Sequence, residues 1–116
     1  INSTLKYKNT KHDIKKLKKL LNLFNLKKFL SDKYFSEEGL ATIKNMSGGE
    51  KQRIGFIRTI MNDPDLILLD EPTSSLDKQN EKKILDYLQS IKKNKIIIIT
   101  SHKNDQKKYF DKIFYL

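Results

Sequence analysis

From Asp13 to Leu30 the apolar residues Ile14, Leu17, Leu20, Leu21, Phe24 and Phe29 recur at the three-and-four spacing that lines one face of an α-helix, and lysines fill the other face. The pattern predicts one amphipathic helix or a broken pair. Residues 31–46 turn to Ser, Asp, Glu, Gly, Thr and Asn and predict an irregular connection ending at Met46. Ser47, Gly48 and Gly49 then open a second helical pattern through Ile54, Ile57, Ile60 and Met61. Ser47 is the expected N-cap, with Glu50 three residues on to complete a capping box.

Asn62, Asp63 and Pro64 end that helix. Leu66 to Leu69 follow as a continuous apolar run closed by Asp70 and Glu71, the pattern of a strand buried on both faces. Ile84, Leu85, Leu88 and Ile91 mark a third helix, and Lys95 to Thr100 a second buried strand. Strand, helix and strand of these lengths predict a right-handed parallel crossover. Ser101 and His102 stand where the second strand ends, before a short polar helix and an expected last strand from Lys112 to Leu116. The fold class is therefore α/β, with acidic, hydroxyl and imidazole groups at the carboxyl ends of parallel strands, where open α/β sheets bind ligands.

Composition narrows the chemistry. At 116 residues the chain holds at most one modest core, and no apolar run approaches the roughly 18 residues of a membrane-spanning helix. With no Cys and only two His, at 12 and 102, thiolate metal sites, disulfides and zinc clusters are excluded, so any metal must be held by carboxylates. The net charge of +10 comes from 22 Lys and 2 Arg against 14 acids, a skew that codon bias also produces. Residues 1–36 carry +8, residues 37–77 carry −4 and residues 78–116 carry +6, so the candidate chemistry sits in the acidic middle. Nucleic-acid readers combine basic residues with Arg for base edges or exposed aromatics, and Arg is scarce here. No nucleic-acid partner is expected. The chain starts at Ile1, without Met or a signal peptide, and stops within the apolar stretch Ile113 to Leu116, so it reads as a piece of something longer.

Asp70 and Glu71 directly follow four apolar residues. One carboxylate can reach a magnesium ion through its waters while its neighbour orients a water, the two tasks of phosphoryl transfer; two acids also simply end a strand and start a turn. Ser47, Gly48 and Gly49 at a helix N-terminus offer backbone N–H groups and a hydroxyl to a phosphate, or only a cap. His102 alone is equally a structural histidine.

Together these residues resemble the ATP-binding cassette (ABC) ATPases. Met46 to Arg53 is similar to the family's signature motif, Leu66 to Glu71 to its Walker B strand with the following glutamate, Thr73 to Asp77 to its D-loop, and His102 to its switch histidine. Order and intervals agree: 23 positions from Ser47 to Asp70, and 32 from Asp70 to His102. The resemblance implies a P-loop NTPase-like parallel sheet fragment with an N-terminal helical subdomain. Residues 1–62 would be the helical subdomain, with the signature at 46–53, and residues 63–116 the Walker B, D-loop and switch-histidine part of the ATPase core. It implies ATP and Mg2+ as cofactors of the complete cassette, with Asp70 supporting the metal, Glu71 as general base and His102 contacting the γ-phosphate. Ser47, Gly48, Gly49 and Glu50 would face an ATP held by a second nucleotide-binding domain, and Asp77 would help couple the two sites. Other implied partners are a transporter's transmembrane domains, which would place the chain on the cytoplasmic side of the cell membrane.

Glu50 stands where transporters more often have Gln, and Ile57 and Thr59 replace small alanines. Glu at that position also occurs in DNA-repair and chromosome-maintenance relatives, whereas Lys51, Gln52, Arg53 and the run from Asp70 to Asp77 are similar to the transporter branch. A noncatalytic interaction fragment is a third reading. The phosphate-cradling loop G-x-x-x-x-G-K-[ST] is absent: the glycines are Gly39, Gly48, Gly49 and Gly55, and no pair has that spacing before Lys. The chain is thus expected to be the carboxyl-terminal half of a cassette, inactive alone, and marginal, aggregating or paired with another chain because its sheet lacks a central strand.

Overall fold

A computed structural model of the protein describes residues 3–6, 11–31, 40–43 and 46–116. The chain divides into two compact units, Ile1–Pro64 and Asp65–Leu116.

In the first unit, β1 (Ser3–Lys6) pairs antiparallel with β2 (Leu40–Ile43), Ser3 opposite Ile43 and Lys6 opposite Leu40. The expected irregular connection over 31–46 is thus corrected at residues 40–43, where the backbone hydrogen bonds go to a strand far away in sequence. Its residues 32–39, 44 and 45 lie outside the described ones. Helix α1 (Lys11–Leu23) buries Leu17, Leu20 and Leu21. It ends in a Schellman motif: Asn25 takes a left-handed φ of 58°, its N–H donates to the Asn22 carbonyl at 3.2 Å, and the Leu26 N–H reaches the Leu21 carbonyl at 2.7 Å. Leu26 and Leu21, joined by that bond, are both fully buried. The alternative of a broken pair is the one observed, since a separate 3-10 turn follows at Lys27–Phe29.

Helix α2 (Gly48–Met61) packs against α1 with Ile54, Ile57 and Ile60 buried, and Phe24 and Phe56 meet with ring centroids 6.3 Å apart. It stops at Asn62, followed by Asp63 at φ 51°. Pro64 comes next and has no N–H with which to close a second capping bond.

The second unit is a strand-helix-strand crossover: β3 (Leu66–Asp70), α3 (Lys78–Ile91) and β4 (Ile96–Thr100). The strands are parallel and in register from Leu66 beside Ile96 to Asp70 beside Thr100. Helix α3 buries Ile84, Leu85 and Leu88, and β3 buries Ile67 and Leu69. The other face departs from expectation: Leu66, Leu68, Ile96 and Ile98 are each at least half exposed. Successive strand residues point to opposite faces, so one covering layer hides only alternate positions. The expected strand at Lys112–Leu116 is also corrected. Those residues are exposed and irregular, because no neighbouring strand edge takes up their backbone hydrogen bonds. A 3-10 turn at Asn104–Tyr109 occupies the place of the expected short polar helix. No helix among the described residues is long and apolar enough to cross a membrane.

Candidate functional site

Ser47, Gly48, Gly49 and Glu50 stand in the first unit, at the start of α2. Ser47 is extended (φ −65°, ψ 164°), its Oγ accepts from the Glu50 N–H at 3.2 Å, and the Ser47 N–H donates to Glu50 Oε2 at 3.0 Å. Both halves of the predicted capping box are therefore made. Glu50 Oε1 also meets Lys28 Nζ at 2.5 Å. That hydrogen bond outweighs partial burial and, with the Ser47 cap, holds the Glu50 carboxyl below its ordinary value. A side chain added at Gly48 would meet nothing within 4 Å, so the approach to the first turn is open. Open space, backbone N–H groups and the positive end of a 14-residue helix suit an anion, and the Lys28 ammonium offsets the Glu50 charge beside them.

Asp70, Glu71, Asp77 and His102 stand in the second unit. Equal parallel strands put the last residue of β3 beside the last of β4, and the Thr100 hydroxyl donates to Asp70 Oδ1. The Glu71 N–H donates to both the carbonyl and the hydroxyl oxygen of Thr100, each at 3.2 Å. Glu71 then turns the chain with φ 49°. Among the described residues the other three non-glycine positions with positive φ are Asn25, Asp63 and Asn94, types whose short polar side chains tolerate that region. Glutamate has no such excuse, and backbone strain of ~1–3 kcal/mol of this kind clusters at functional sites.

The strained turn brings Glu71 Oε1 to 3.3 Å from His102 Nε2, with the imidazole 98% exposed. The turn continues through Ser74 N–H to Glu71 O at 3.2 Å and Leu76 N–H to Thr73 O at 3.1 Å. Asp77 closes it as the N-cap of α3, accepting from the Asn80 N–H at 2.8 Å and Asn80 Nδ2 at 2.9 Å. Those bonds, led by the Asn80 backbone, hold the Asp77 carboxyl low.

Of the expected site residues the structure thus brings together Asp70, Glu71 and His102. It makes the Glu50 cap that the sequence predicts and gives Asp77 a capping duty that the sequence reading did not assign. Thr100 was missed, although sliding Leu66–Leu69 against Ile96–Ile99 places it beside Asp70. Among the described residues no three His, Cys, Asp or Glu side chains gather closely enough to cage a metal ion. Asp70 fits a single contact to a hydrated Mg2+, an ion that keeps several waters and takes one or two carboxylates.

Comparison with known proteins bears on Ser47 to Glu50, Asp70 and Glu71 among these residues. A family model described as ABC transporter matches residues 2–74, through the capped helix and the Asp70–Glu71 strand end. The chain belongs to the ABC transporter family. A probable ABC transporter ATP-binding/permease protein of Haemophilus influenzae is 46% identical over 69 residues, 60% of this chain and 12% of the relative. The phosphonates import ATP-binding protein PhnC of Fusobacterium nucleatum is 47% identical over 76 residues, 63% of this chain and 31% of the relative. The chain spans less than a third of the length of either. A solved structure of a bacterial Atm1-family ABC exporter with ATP bound superposes with a TM-score of 0.57 and 26% identity, over 79% of this chain and 16% of that one. As an ABC family member the chain has the P-loop NTPase-like α/β character expected of it, and it corresponds to part of a transporter's ATP-binding component.

Proposed function

We propose that the chain is the signature-bearing and Walker B-bearing portion of a nucleotide-binding domain whose complete form hydrolyses ATP to move a solute across a membrane. The observation that carries this reading is the Glu71–His102 pair, 3.3 Å apart, with Glu71 on the strained turn that follows Asp70 and His102 just beyond the end of β4. Asp70 would hold Mg2+ through water, and the metal with its triphosphate would supply an electrophilic phosphorus. Glu71 would take a proton from the attacking water, and His102 would contact the γ-phosphate and hold that geometry. The open start of α2, with Ser47, Gly48 and Gly49, would bind the γ-phosphate of an ATP held by a second nucleotide-binding domain. In this reading Glu50 shapes that turn, and Asp77, by capping α3, sets the path of the segment facing the second domain. Residues 1–62 would be the helical subdomain and residues 63–116 part of the ATPase core, docked on transmembrane partners at the cytoplasmic membrane face.

The DNA-repair reading leaned on Glu50. Its carboxylate has a local use in the cap and with Lys28, which leaves no specific observation favouring that branch. The test is Glu71→Gln in a complete cassette made by joining this chain to a half that carries a Walker A loop. A positioned base contributes about 10²–10⁴ in rate, so hydrolysis should fall by that factor with ATP binding retained. Turnover at the parental rate would refute the role given to Glu71, whereas no hydrolysis by the joined parental cassette would favour a noncatalytic fragment.

A further inference from the structure

Among the described residues the buried polar or charged side chains are Thr73, Glu81 and Gln106, and all three belong to one hydrogen-bonded cluster. They come from different segments: the turn after Glu71, helix α3, and the 3-10 turn after His102. Gln106 Nε2 donates to Thr73 Oγ at 2.9 Å, and Ser101 Oγ donates to Gln106 Oε1 at 2.8 Å. The Lys103 N–H donates to Ser101 Oγ at 3.0 Å. Lys103 Nζ reaches inward, donating to the Thr73 carbonyl at 3.0 Å and pairing with Glu81. Lys78 Nζ approaches the other Glu81 oxygen at 3.7 Å.

Burying such groups is costly, and apolar residues of similar volume usually serve stability as well or better. What directional bonds add is a fixed geometry. Here they fix two short segments against each other. Thr73, two residues beyond Glu71, is held from both its carbonyl and its hydroxyl; Ser101 and Lys103, on either side of His102, are held at the other end. His102 itself is almost fully exposed and has no packing to keep it in place.

We propose that Lys103, paired with Glu81, is a positioning residue that holds His102 against Glu71. The bearing of that geometry on hydrolysis rests on the function proposed above, whereas the geometry itself does not. Burial pushes the Glu81 carboxyl up, but Lys103 and Gln106 together hold it below its ordinary value, as expected of a carboxylate kept charged for its partner.

The test is nuclear Overhauser spectroscopy on the full chain without nucleotide, following the cross-peak between the His102 ring and the Glu71 side chain. The chain has two histidines, so a His12→Gln background leaves one ring system. Lys103→Met should abolish the cross-peak and Lys103→Arg should restore it, while Leu88→Ala, which loosens the core of α3, should leave it. Glu81→Gln, which keeps the volume and an acceptor, should weaken it and serves as the second variant if Lys103→Met fails to fold. A cross-peak of parental strength in folded Lys103→Met or in Glu81→Gln would overturn the proposal. So would its absence from the parental chain. Because no outcome depends on ATP, failure here is distinct from failure of the hydrolytic reading.

Discussion

Substituting Ser47 and Glu50 separately divides the start of α2 into a local part and an electrostatic part. Ser47→Ala removes the oxygen that accepts the Glu50 N–H at 3.2 Å and leaves a first-turn donor without it. Loss of such a cap costs about 1 kcal/mol, within a range of roughly 0.5–2. Glu50→Gln keeps a carbonyl oxygen for the Ser47 N–H, which lies 3.0 Å from the carboxylate, and loses the charge that pairs with Lys28 and faces the positive end of α2. The Lys28 side chain is 58% exposed, so solvent screening reduces that pair to about 0.5 kcal/mol or less. At physiological ionic strength, which screens the Glu50 charge, Ser47→Ala should therefore destabilise more than Glu50→Gln. Urea unfolding followed by circular dichroism measures both at neutral pH, and hydrogen exchange at the Glu50 amide shows whether the loss is local. A Glu50→Gln cost equal to or above that of Ser47→Ala would refute the reasoning, because the ion pair would then outweigh the cap.

Two further outcomes follow from the second unit. Glu81 and Asp77 both have carboxyls held below their ordinary values of 4.5 and 3.8, so they bind fewer protons folded than unfolded. Their stabilising contribution is present above about pH 4.5 and is lost as pH falls through the lowered values; unchanged urea midpoints from neutrality down to pH 3 would contradict this. The exposed face formed by Leu66, Leu68, Ile96 and Ile98 should drive self-association. Leu68→Lys with Ile98→Glu, substitutions at register partners, should lower the mass measured by light scattering, and an unchanged mass would place the association elsewhere.

Features that depend on residues close in sequence were legible from the chain alone. The Ser47–Glu50 box, the stop at Asn62–Pro64 and the parallel crossover all come from spacings of a few residues, or from runs whose length and flanks identify them. The break in α1 was legible only as an alternative, because Asn25 is a left-handed cap by permission rather than by requirement. Pairing of Ser3–Lys6 with Leu40–Ile43 was missed, since a four-residue strand carries little signal until its partner is known. Apolar runs in β3 and β4 read as buried on both faces, yet hydrophobicity states what a face needs rather than what covers it. Glu81 lies among Lys78, Gln79, Asn80 and Lys82 and looks like part of a solvated stretch; only the fold reveals that it points inward to Lys103. The Walker B and switch-histidine resemblances pointed to Asp70, Glu71 and His102, but the left-handed turn that carries Glu71 to His102 follows from three-dimensional constraint.

The most direct test of the account is a calorimetric titration of the 116-residue chain with magnesium ATP, with hydrolysis followed in parallel, before and after a Walker A-bearing half is added. The account assigns the chain residues for one side of a triphosphate and no phosphate-cradling loop. It predicts no saturable binding and no turnover by the chain alone, and both once the missing half is supplied. Tight binding or turnover by the chain alone would contradict it, because the phosphates would then be held by residues other than those named here.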